Sequence, residues 1–119
     1  MKNTFLLRDE FIEWLVTIAK FPLASAKSYC SYVAAADKTF ILNNEGKNEE
    51  TNLFKILDVL VYNRDTFGMD NTIITLINEL SKDKIEEQLK TPLSSIQKWR
   101  SGLFQYREFL YYHIETTVE

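Results

Sequence analysis

Apolar residues recur at steps of three and four along most of this chain, and the longest such stretch is the last, SSIQKWRSGLFQYREFLYY over residues 94–112. Ile96, Trp99, Leu103, Tyr106 and Leu110 follow one another at helical spacing, which gathers them on one face at 3.6 residues per turn. Arg100, Phe104, Arg107 and Tyr111 run beside that seam, and Gln97, Lys98, Ser101 and Gln105 point away from it. The same spacing predicts four earlier helices. Residues 4–20 put Leu7, Phe11, Trp14, Leu15 and Ile18 on one stripe with Arg8, Glu10, Glu13 and Thr17 outside, until Phe21-Pro22 stops the helix, because proline lacks a donor and restricts the residue before it. Residues 25–42 begin at Ser25 as N-cap and bury Tyr29, Val33, Ala36 and Phe40, leaving Lys27, Ser31, Ala34 and Lys38 outside. Residues 51–62 align Leu53, Ile56, Leu57, Leu60 and Val61. A fourth helix, capped by Asp70 or Asn71, repeats Ile73, Ile74, Ile77 and Leu80 and continues through Ile85 to Leu89, and Thr91-Pro92 opens the last one. The polar run at 43–52 and the Gly68-containing run at 63–70 read as loops.

Composition narrows the picture. At 119 residues and 45% hydrophobic content, the chain suits one domain that buries roughly two-thirds of its unfolded surface. Three glycines and two prolines leave little material for the tight turns of an all-β fold, so the expectation is an all-α, compact bundle of about five helices. Its core is expected from Phe11, Trp14, Leu15, Tyr29, Val33, Phe40, Leu57, Leu60, Ile77, Trp99, Leu103, Tyr106 and Leu110. Arg8, Asp9 and Glu10 interrupt the first apolar stretch too early for a signal peptide, and no run of about 18 apolar residues is present to span a membrane. A cytoplasmic location is the default expectation.

Catalytic constellations are hard to find. His113 has no serine or cysteine around it in a nucleophile motif, Cys30 and His113 are each the sole residue of their type, so no zinc set forms, and Gly46, Gly68 and Gly102 are too dispersed to cradle a phosphate. Neither a metal nor another cofactor is expected, and an enzyme is the weakest of the functional readings. The outer side of the last helix is different, since it combines cations with amide and hydroxyl groups, the types that contact phosphates and base edges. A net charge of −3 confines any nucleic-acid surface to a local patch, since counterion release depends on the cations at the contact.

Phe11-Ile12-Glu13-Trp14-Leu15, then Ser25-Ala26-Lys27-Ser28-Tyr29 and later WRSGLFQYREFL from Trp99 to Leu110, resemble the N-terminal core-binding domain of tyrosine recombinases, the phage-integrase family. The resemblance implies a bundle of four or five helices that grips one face of duplex DNA. The family's contacts fall on its second and last main helices, which here carry Ser25, Lys27, Ser28 and Ser31, and Ser95, Lys98, Arg100 and Ser101; Gln105 extends the second set. The family's catalytic half, with its His-x-x-Arg box and tyrosine nucleophile, has no counterpart: His113 is followed by Ile114, Glu115 and Thr116. The expectation is therefore a non-catalytic DNA-binding domain, either a fragment of a longer chain or a stand-alone relative. The rival reading is a helical protein-interaction module, joining a partner or its own copy, with Phe104, Tyr111 and Tyr112 of the last helix as anchors. The two readings part on whether Lys27, Lys98 and Arg100 share a surface free of Glu45, Glu49 and Glu50.

Overall fold

Six helices, and no strand, make up the regular structure of the described residues, 5–43 and 52–117, in a computed structural model; side chains are described for residues 5–39 and 52–117. They are α1 (Arg8–Thr17), α2 (Leu23–Asn43), α3 (Leu53–Tyr62), α4 (Thr66–Glu79), α5 (Ile85–Leu89) and α6 (Leu93–Thr116). The all-α expectation holds with one helix more than five. Phe40, expected in the core, and Glu45, Glu49 and Glu50, on whose distance from the cations the two functional readings part, lie outside the described side chains.

Helix α1 starts later than the apolar spacing predicts. Leu7 adopts a left-handed backbone (φ 57°), which excludes residues 5–7 from the helix and turns them back over the bundle. The Phe5 ring meets Phe54 and Tyr106 at centroid distances of 4.4 and 5.4 Å, and the Leu6 carbonyl accepts the Tyr106 hydroxyl at 2.8 Å. Lys20, also left-handed (φ 68°), reverses the chain before Pro22. Helix α2 then begins two residues before the expected cap: the Ala26 N–H donates to the Pro22 carbonyl at 3.0 Å, so Ser25 sits within the first turn rather than capping it.

Two other boundaries move for a visible reason. Asn52 caps α3, accepting the Lys55 N–H at 2.8 Å, and the Asp37 carboxylate takes the Leu53 N–H at 2.9 Å. The run at 63–70 is mostly helix, because Asp65 accepts the Gly68 N–H at 2.9 Å and opens α4 there. A Cβ on Gly68 would lie 2.6 Å from that carboxylate and 2.8 Å from Leu60, so glycine lets the cap close. Asp70 and Asn71, the two expected caps, both lie inside α4, and Asp70 pairs with Arg107 of α6. Nor does α4 run on to Leu89: it ends at Glu79, and left-handed Lys84 (φ 61°) starts the separate α5. Ile77, Leu80 and Ile85 are all buried across this break, which is why their spacing mimics one helix.

Helix α6 is the axis of the bundle. It buries Ile96, Gly102, Leu103, Tyr106, Phe109, Leu110 and Ile114, meets α1, α2, α4 and α5, and packs most extensively along α2. Of the other expected core positions, Phe11, Leu15, Val33, Leu57 and Ile77 are buried, whereas Trp14, Tyr29, Leu60 and Trp99 are half-buried at its margin. The crossing with α2 depends on Gly102, where a Cβ would stand 2.8 Å from Tyr32 Cβ and 3.2 Å from the Tyr29 carbonyl oxygen. Only a residue without a side chain lets the two backbones approach this closely.

Candidate nucleic-acid interface

The close α2–α6 crossing leaves a shallow groove beside it, of about 330 Å³, walled by Ser25, Ser28, Tyr29 and Tyr32 of α2, by Lys98 and Ser101 of α6, and by Phe21 before α2. Ser25, Ser28 and Tyr32 share a face because they stand at steps of three and four, as do Lys98 and Ser101. Four of the residues expected at a DNA surface, from segments some 70 positions apart in the chain, are therefore brought together. Lys98 is exposed and pairs with no carboxylate among the described residues. Ser25 lies in the first turn of α2, where backbone N–H groups have no acceptor within the helix and the positive end of the dipole sits. The Ser28 hydroxyl donates to the Ala24 carbonyl at 3.1 Å, a local bond that a solvent-accessible serine exchanges readily for another acceptor.

The other expected residues stand outside this groove. Lys27 and Ser31 are exposed on the outer side of α2, with the Ser31 hydroxyl directed at the Lys27 carbonyl at 3.4 Å. Ser95 and Gln105 are half-buried on α6, one before and one after the groove's walls. Arg100 turns away toward α4, where its guanidinium donates to the Leu80 carbonyl and the Ser81 hydroxyl, both at 3.2 Å. Leu80 is the C-cap of α4, and a cation is favoured against those unpartnered helix carbonyls.

Charge segregates around the groove. Helix α2 contains a single carboxylate, Asp37, and it is buried; its exposed charges are Lys27 and Lys38. Burial holds the Asp37 carboxyl above the usual carboxylate range, with the Leu53 N–H opposing that shift. Residues 93–107 of α6 contain Lys98, Arg100 and Arg107 and no acid. Cys30 is buried behind this surface and burial pushes its thiol up, so it lacks the thiolate character of a reactive cysteine.

Sequence reasoning missed three walls. Tyr29 reads as core, Tyr32 belongs to no predicted stripe, and Phe21 reads only as a helix stop. The spacing of Tyr32 from Ser25 and Ser28 was the available signal for one of them. Phe21 packs edge-to-face on Tyr29 at 5.0 Å, and Tyr29 on Tyr32 at 5.9 Å, forming an aromatic ladder along one wall.

A larger hollow, of about 680 Å³, lies between the residues preceding α1, the end of α3 and the end of α6, with Asp58, Arg64 and His113 among its walls and none of the expected site residues. Among the described residues no group of histidine, cysteine, aspartate and glutamate is placed to hold a metal ion, and no helix is long and apolar enough to cross a membrane. Compared with protein-family models, curated proteins and solved structures, the chain finds no match.

Proposed function

We propose that this is a non-catalytic, duplex-DNA-binding domain of the kind found at the N-terminus of tyrosine recombinases, working through the outer faces of α2 and α6. The observation that carries this reading is the convergence of Ser25 and Ser28 with Lys98 and Ser101 on one groove, with no exposed acid in the described side chains of α2 or in residues 93–107 of α6. Lys98 and Lys27 contact phosphates, Ser25, Ser28 and Ser101 approach the sugar-phosphate backbone as hydrogen-bond donors, and Ser31, Ser95 and Gln105 flank the contact. Arg100 supports the surface from behind by holding the end of α4, and reaches a phosphate only by releasing it. Such contacts position a protein on DNA without reading its sequence. The resemblance in helix order supports the assignment to this class, and the cytoplasm is the compartment in which such a domain meets DNA.

Fluorescence anisotropy of a labelled duplex tests this. The wild-type domain binds with a Kd of roughly 10⁻⁴ to 10⁻⁶ M, the range of non-specific complexes at physiological salt, and the Lys27→Glu/Lys98→Glu double variant abolishes binding while keeping its helical circular dichroism. Unchanged binding by that variant would refute the assignment of the surface.

The second reading, an interaction module anchored on the final helix, is favoured by the exposure of Phe104 (46%) and Tyr112 (41%). For Tyr112 it concerns the opposite end of α6, so a protein partner there and DNA at the groove are compatible.

A further inference from the structure

The C-terminal half of α6 packs on α1 and leaves two adjoining hollows, of about 250 and 490 Å³, that share Trp14, Ile18 and Tyr112. Ile18 is 51% exposed, and the half-buried indole of Trp14 lies 6.0 Å from the Phe109 ring and 6.4 Å from the Tyr112 ring. The Trp14 Nε1–H is shielded from solvent and finds no acceptor among the described residues. Glu10 and Glu13 edge one hollow and Glu108 and Glu115 the other, all four exposed. The one arginine at this face, Arg107, is already held by Asp70 and Glu108 and lies over the Tyr111 ring, 5.1 Å from its centroid. An aromatic and aliphatic centre inside a rim of one charge is thereby left open.

We infer that this face docks a basic amphipathic helical segment of another protein, independently of the DNA reading. Apolar side chains of the segment cover Trp14, Ile18 and Tyr112, as aromatic anchors at interface centres require. Its lysines and arginines meet Glu10, Glu13 and Glu115, which no cation of the described residues holds, and their shared sign steers cationic partners in and rejects others. A second copy of this chain fits worse, because a two-fold contact through the same patch sets each acidic rim against itself. The rim likewise repels DNA and anionic lipid.

The test uses the full chain and a fluorescein-labelled synthetic peptide about five helical turns long, with leucines at three-four spacing and lysines elsewhere, beside a peptide of the same composition with the leucines scattered. The amphipathic peptide binds at least about tenfold tighter than the scattered one. Ile18→Lys, and separately Glu10→Lys/Glu13→Lys, each weaken it by about tenfold or more while duplex binding is not weakened. All three changes fall at exposed positions, and retained thermal unfolding checks that the fold is kept. Equal binding of the two peptides, or indifference to both variants, overturns the inference. So does sedimentation showing a dimer that Ile18→Lys dissociates, which would give the face to a second copy.

Discussion

The two halves of α6 share one buried seam and carry opposite surfaces. Residues 93–107 hold three cations and no acid, and border a hydroxyl-rich groove against α2; residues 108–116 hold Glu108 and Glu115 and border aromatic hollows against α1. Beneath both, the apolar face runs unbroken from Ile96 through Tyr106 to Ile114. A net charge of −3 therefore averages two unlike faces of the molecule, and an acidic total does not count against a cationic site. One helix can fix the fold through its inner face while its outer face serves two ends differently.

Substitution is costliest at the buried seam that both halves share. Phe109→Ala removes the ring that lies under Trp14 and beside Phe11, Tyr106 and His113, and should cost about 3–5 kcal/mol in urea unfolding. The acidic half should lose its peptide binding with it, whereas a cost under about 0.5 kcal/mol would mean that this end of α6 is not a packed surface. At the other half, Gly102→Val drives a branched side chain into the backbone of α2, and overpacking of this kind costs about 1–3 kcal/mol. Because Tyr29 and Tyr32 wall the groove, the variant should lose DNA affinity and keep affinity for the basic peptide. Loss of both together would mean that the halves are not independent.

Asp37→Asn gives a smaller effect, at the buried carboxylate of α2. Its oxygen still accepts the Leu53 N–H, but the buried charge is gone. Because burial raises the folded-state pKa of Asp37, its contribution to stability is full below the unfolded carboxylate range and falls as pH rises through the folded pKa. The variant should thus melt above the wild type at pH 7 and lose that advantage at acid pH. A variant less stable at pH 7 would show that the carboxylate gains more from Leu53 than burial costs it.

Much of this was legible in the chain. The seam of Leu103, Tyr106 and Leu110 follows from spacing alone, and Ser25 with Ser28, or Lys98 with Ser101, share a face for the same reason. Caps were not legible, because Asp65 and Asp70 carry the same side chain, and the room that Gly68 leaves for Asp65 and the pairing of Asp70 with Arg107 are tertiary facts. Left-handed turns at Leu7, Lys20 and Lys84 leave no periodic mark, so spacing alone does not reveal residues 5–7, the place of Phe21 or the α4–α5 break. Lys98 and Arg100 both read as phosphate-binding cations although Arg100 runs beside the seam and Lys98 points away from it, and the position of the end of α4 is what turns Arg100 away.

The salt dependence of duplex binding reads out the phosphate contacts of the α2–α6 groove. With Lys27 and Lys98 on phosphates and Arg100 held by α4, log affinity should fall with log salt at a slope of about −1.8, steepening to about −2.7 if Arg100 is drawn onto a third phosphate. Lys98→Ala should flatten the slope by about one unit and weaken binding equally for duplexes of different sequence. Binding undetectable at low salt, or a slope that Lys98→Ala leaves unchanged, would contradict the assignment of the α2–α6 groove to DNA.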